Sequence, residues 1–141
     1  MVINHICFAV ADMDRSIIFY RDVFGANILV KGRKLAYFDL DGLWVALNQV
    51  DDGQVNERVY PSSNTHIAFT VATEEFGEKV NRLLGVRVLP GRERDERDKL
   101  SVYFLDPDGH QFEFHTGSLQ DRLDYYRSAK EHMHFFETPE C

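Results

Sequence analysis

Residues 4–10 read NHICFAV and residues 65–71 read THIAFTV. Superimposing the two runs places His5 on His66, an offset of 61 residues. Each run is short and rich in β-branched and aromatic side chains, the pattern of a strand. Each is followed by apolar residues at helical spacing: Ile17, Ile18, Tyr20, Val23 and Phe24 in the first copy, Phe76, Val80, Leu83 and Leu84 in the second. Asp12 or Asp14 supplies an N-cap for the first helix and Thr73 precedes the second, while Gly25 and Gly85 stand at the closing positions. Three strand-like segments then follow each helix. They are 27–30, 35–40 and 43–48 in the first copy, and 86–89, 100–105 and 111–115 in the second. The last two of each set are joined by an Asp-Gly turn, Asp41-Gly42 and Asp108-Gly109, a strong hairpin signal.

Outward from these runs, the chain reads as an α+β protein of two tandem βαβββ modules, about 1–48 and about 65–116. A polar stretch, 49–64, links them. Residues 117–141 add a closing helix at 118–128, with Ser118 as N-cap, and a patternless tail from Glu131 to Cys141. A chain of 141 residues with 44% hydrophobic and 28% charged residues is expected to form one domain with its own core. No run approaches the ~20 apolar residues of a membrane span. The N-terminal residues lack a basic region and a small-residue cleavage site, so no secretory signal is expected. The net charge of −7 disfavours nucleic acid and anionic membranes as partners. Two cysteines, Cys7 and Cys141, form no disulfide framework, which points to a reducing, cytoplasmic setting.

Strand alternation sorts the side chains by face. Ile6, Phe8 and Val10 point to the helix side, leaving His5, Cys7 and Ala9 on the other face. Ile67, Phe69 and Val71 leave His66, Ala68 and Thr70, and Phe112 and Phe114 leave Gln111, Glu113 and His115. Leu43, Val45 and Leu47 leave Trp44, Ala46 and Asn48. The repeat makes His5, Ala46, His66 and Glu113 four equivalent positions. Two imidazoles and a carboxylate suit a divalent transition metal with coordination positions left for substrate. A competing reading makes the histidines inherited core residues. Glu113 between two phenylalanines fits that reading poorly, because a carboxylate on a sheet face is costly unless paired or exposed.

These features resemble the vicinal-oxygen-chelate superfamily, and within it the fosfomycin-resistance thiol transferases of the bacillithiol type. The stretches that carry the resemblance are NHICFAV, YRDVFGA, GRKLAYF, WVALN, THIAF, GRERDERD, YFLDPDGHQFEFHTGSLQDRLDYY and the weaker HMHFF, together spanning nearly the whole chain. The resemblance implies two βαβββ modules forming an open, cup-shaped mixed β-barrel around one metal site, usually in a homodimer. It implies His5, His66 and Glu113 as metal ligands, with Mn²⁺ expected and Mg²⁺, Zn²⁺, Ni²⁺ or Co²⁺ as substitutes. Arg92, Tyr103 and Arg122 match the phosphonate contacts of the family, where a guanidinium fits the oxygen geometry. Cys7, Tyr37, Trp44 and Asn48 match residues lining the substrate pocket, and Cys at position 7 is a mark of the bacillithiol type. The implied reaction is opening of the fosfomycin epoxide by a low-molecular-weight thiol, bacillithiol or cysteine, with catalysis resting on the metal as Lewis acid.

Pro90 and Asn64 depart from the family pattern beside the expected thiol approach, which bears on thiol identity. His110, His115, His132 and His134 are read as outside the ligand set. Three other functions compete. A fosfomycin epoxide hydrolase needs a carboxylate base, for which Asp39 is the candidate. A ring-cleaving dioxygenase would use the same donor set for Fe(II). A drug-binding module would have no need of the three donors.

Overall fold

The computed structural model describes residues 1–51, 65–90 and 99–136. Strand β1 (His5–Val10) leads into α1 (Met13–Phe24), then β2 (Asn27–Lys31), β3 (Leu35–Leu40) and β4 (Leu43–Gln49). The second copy runs through β5 (Ile67–Thr70), a 3-10 turn (Thr73–Glu75), α2 (Phe76–Asn81), β6 (Arg87–Leu89), β7 (Ser101–Leu105) and β8 (Gln111–His115). Helix α3 (Leu119–Ala129) follows. The two sheets share one topology, β1-β4-β3-β2 and β5-β8-β7-β6, with the first strand of each parallel to the last. The tandem βαβββ reading therefore holds strand by strand.

Asp12 caps α1, accepting the Arg15 N–H at 3.0 Å. The Asp41-Gly42 hairpin is a two-residue turn with positive φ at both positions, 50° and 88°, which matches the twist of β3 and β4 and explains why glycine stands second. The second helix departs from expectation. Its apolar spacing predicts a helix through Leu84, but the helical turn ends at Asn81 and Thr73 makes no side-chain cap. Gly77 weakens it, and Leu84 is exposed, so no continuous apolar stripe holds the last turn down.

Helix α1 lies between the two sheets and supplies the centre of the core. Its Tyr20 ring meets Phe38 of the first sheet and Phe112 of the second, with centroids 6.1 and 6.2 Å apart. Phe24 meets Phe114 at 5.7 Å and Phe19 meets Phe104 at 6.4 Å. Phe8, Val10, Phe38, Val45 and Leu47 from one sheet join Phe104, Phe112 and Phe114 from the other in one buried cluster. The opposite face of each sheet, by strand alternation, points away from this shared core.

Helix α3 starts in a reciprocal capping box. Ser118 Oγ accepts the Asp121 N–H at 3.1 Å, while the Asp121 carboxylate accepts from the Ser118 N–H and hydroxyl, both at 2.8 Å. The Ser118 hydrogen bonds hold the Asp121 carboxyl below its ordinary range. A depressed carboxyl stabilises the fold above its unfolded range and loses that contribution as acid protonates it. Replacing Ser118 with Ala should cost about 1 kcal/mol at neutral pH, read as a lowered urea midpoint.

Candidate metal centre

The outward face of the second sheet gathers His66, Tyr103, Glu113, Ser101 and His115. Glu113 sits opposite both Ala68 of β5 and Tyr103 of β7, and Ser101 sits opposite His115. His66 directly precedes β5 and continues its outward side. His66 Nε2 lies 2.9 Å from Glu113 Oε2. The Tyr103 ring stands edge-on to the imidazole, with centroids 5.3 Å apart at 82°. Glu113 and Tyr103 are buried yet outside the apolar core cluster, so their burial belongs to the outward face. At this distance a proton on the imidazole joins the two, or a shared cation replaces it, and an imidazole nitrogen beside a carboxylate oxygen is a donor pair that suits a divalent metal.

Arg122 of α3 borders the same face. It lines a small cleft with Lys99, His115, Gly117, Ser118, Asp121 and Tyr125, and its guanidinium carbon lies 5.9 Å from the Tyr126 ring centre. Arg92 lies outside the described residues, as does Asn64.

The outward face of the first sheet gathers the rest. His5 is opposite Trp44, Cys7 opposite Ala46 and Ala9 opposite Asn48, while Tyr37 is opposite Ala46 from the other side. The rings of His5 and Trp44 are 4.4 Å apart, and Tyr37 stands edge-on to Trp44 at 5.1 Å. The Asn48 amide donates to Cys7 Sγ at 3.4 Å, and Cys7 is an exposed free thiol. His5 Nδ1 lies 2.6 Å from Asn4 Oδ1. A proton on Nδ1 donated to that oxygen would leave Nε2 with the lone pair that a metal-binding imidazole needs.

The site residues are thus divided. His66, Glu113, Tyr103 and Arg122 belong to one outward surface, and His5, Cys7, Tyr37, Trp44 and Asn48 belong to the other. Among the described residues, no three His, Cys, Asp or Glu side chains come together to hold a metal. Asp39 Oδ1 accepts the Gly42 N–H at 2.9 Å and so holds the hairpin turn. His110 is a structural residue: its Nδ1 lies 2.7 Å from Asp106 Oδ2 and its ring packs on Phe8 at 4.8 Å. Two neighbours of the site were not anticipated, Asn4 behind His5 and Ser101 behind Glu113. Alternation along β7 places Ser101 on the Glu113 face, and that signal was available in the sequence.

The model of the glyoxalase/bleomycin resistance protein/dioxygenase superfamily matches residues 2–114. The metallothiol transferase FosB of Lysinibacillus sphaericus is 58% identical over 136 residues, 95% of each chain. FosB of Staphylococcus saprophyticus is 54% identical over 140 residues, covering 98% of this chain and 91% of that one. Among solved structures, a glutamate-to-glutamine mutant of the fosfomycin resistance protein FosX of Listeria monocytogenes, complexed with Mn(II) and 1S,2S-dihydroxypropylphosphonic acid, superimposes with a TM-score of 0.76. It is 36% identical, over 89% of this chain and 97% of that chain.

Proposed function

The chain belongs to the glyoxalase/bleomycin resistance/dioxygenase superfamily, and from that premise we propose that it is a metallothiol transferase conferring fosfomycin resistance. It opens the epoxide of fosfomycin with a low-molecular-weight thiol, bacillithiol or cysteine. The observation that carries this reading is the convergence of His66 Nε2 and Glu113 Oε2 at 2.9 Å, in a chain so similar to FosB along its length. His5, His66 and Glu113 would hold the metal. Because His5 lies on the other outward surface, a homodimer completes the set. A two-fold axis sets the His5 face of one copy against the Glu113 face of its partner, twice.

When bound, the divalent cation, Mn²⁺ in this reading, supplies Lewis acidity to the oxygen that leaves carbon as the ring opens. Tyr103 and Arg122, with Arg92, donate hydrogen bonds to the phosphonate oxygens and fix the substrate's orientation. Trp44, flanked by Tyr37, offers an apolar wall to the substrate's methyl group. Asn48 and Cys7 line the pocket beside that wall, and the Cys7 sulfur is not transferred. The cosubstrate thiolate forms the new carbon–sulfur bond at the carbon bearing phosphorus. The carbon–oxygen bond breaks, and the oxygen takes up a proton from solvent. A free thiol cosubstrate places the reaction in a reducing compartment, the cytoplasm. A hydrolase would need a base such as Asp39, which is engaged in its turn.

The test is fosfomycin consumption by Mn²⁺-loaded protein with bacillithiol, cysteine, glutathione or no thiol, with products identified by mass. A thiol adduct formed only with metal is expected, and the thiol giving the fastest rate names the cosubstrate. A product gaining one water without thiol would replace the transferase with a hydrolase. No consumption in any arm would remove fosfomycin as substrate.

A further inference from the structure

Behind Glu113, two residues, Ser101 and His115, form a polar chain that the reaction as described does not use. Ser101 Oγ lies 2.6 Å from Glu113 Oε1 and 2.5 Å from His115 Nδ1, and His115 Nδ1 lies 3.5 Å from the same carboxylate oxygen. A hydroxyl has one proton to give, and an ionised carboxylate is the stronger acceptor. Ser101 therefore donates to Glu113 Oε1 and accepts from His115 Nδ1–H. This leaves Glu113 Oε2 directed at His66. The space for the imidazole is provided by Gly117, where a Cβ would meet His115 Nε2 at 2.6 Å and Lys99 Cγ at 2.8 Å. Any side chain there would drive the ring off Ser101 or displace Lys99.

We propose that Ser101 and His115 are positioning residues that lock the rotation of the Glu113 carboxylate, so that Oε2 is presented to the metal before it arrives. The proposal rests on the reading of Glu113 as a ligand. Residues that orient a ligand in this way typically control metal affinity as well as rate. The alternation of β7 and β8 puts all three side chains on one face, but only the cross-strand register of Ser101 with His115 brings the hydroxyl between the carboxylate and the imidazole.

The experiment is Mn²⁺ binding to the full-length metal-free protein, followed by the electron paramagnetic resonance signal of free Mn²⁺. Wild type is compared with Ser101→Ala, Ser101→Thr, His115→Phe and Glu113→Gln, each checked for folding by thermal melting. Ser101→Ala and His115→Phe should weaken Mn²⁺ binding by about 10- to 100-fold. Ser101→Thr keeps the hydroxyl and should restore wild-type affinity. Wild-type affinity in folded Ser101→Ala would overturn the proposal. So would an equal loss in folded Ser101→Thr, because the loss would then follow packing and not the hydrogen bond. Wild-type affinity in Glu113→Gln would instead remove Glu113 from the ligand set, and the positioning role with it. A loss in Glu113→Gln with none in Ser101→Ala overturns the positioning role alone.

Discussion

Purified His5→Ala and Glu113→Gln proteins should each lose turnover, and dimers reassembled from an equal mixture should regain roughly a quarter of the wild-type rate. The expectation follows from the proposed two-copy site, whose candidate ligands lie on two outward surfaces. In the proposed homodimer, each variant alone would give dimers in which both sites lack a ligand. Direct ligands should cost more than the about 100-fold at the upper end for residues that merely orient them. In a mixed dimer, one site combines the two defects. The other combines intact His5 from one copy with intact His66 and Glu113 from its partner. Random assortment makes about half the dimers mixed, with one of two sites intact in each. A site built within one chain would stay dead in every combination, so a mixture without activity would refute the two-copy arrangement. Glu113→Gln is close in size to the native side chain and keeps an acceptor for Ser101, so its melting temperature should stay near wild type.

Asp108→Ala should destabilise the protein by about 3 kcal/mol, lowering the melting temperature by about 10 °C. The Asp108 side chain is 1% exposed and comes from the hairpin of the second module. It accepts from three groups of the first module: the Ala11 N–H at 3.0 Å, Arg15 at 3.1 Å and the Ser16 hydroxyl at 3.2 Å. Truncation strands the Ser16 hydroxyl, which is fully buried, and the Ala11 amide. Arg15 is half exposed and turns to water, so its share is small. Asp106, alongside, accepts from the Tyr20 hydroxyl at 3.0 Å and from the backbone N–H groups of Asp108 and His110. Burial, and then the Asp106 charge, push the Tyr20 phenol well above its ordinary range, so it remains a donor. A double-mutant cycle between Ser16→Ala and Asp108→Ala should show coupling of about 0.5–3 kcal/mol. Strict additivity would mean the two do not interact in solution.

Asp106-Pro107-Asp108-Gly109 is legible as a turn because Asp and Gly carry the conformational signals of turns. That the same carboxylates cross to α1 and tie the modules together is not legible, since their partners lie 86 to 97 residues away. The tandem modules were readable because strand alternation and helical spacing are written locally, twice, in one chain. The C-cap at Gly25, the Asp41-Gly42 hairpin and the Ser118 cap were readable for the same reason. Helix α2 is shorter than its apolar spacing predicts because spacing does not report whether an apolar side chain finds a partner, and Leu84 is exposed.

The sequence by itself determined which side of each strand His5, His66 and Glu113 occupy, since a period of two leaves no freedom once Phe8, Phe69 and Phe112 are assigned to the core. It did not determine how the two sheets face each other. That was decided by α1, whose Phe19, Tyr20 and Phe24 bury against both sheets at once and turn the polar faces outward, away from one another. Periodicity fixes a residue's direction relative to its own sheet. Only the packing of one sheet against another, with burial of a shared aromatic core as its driving force, fixes where that direction leads.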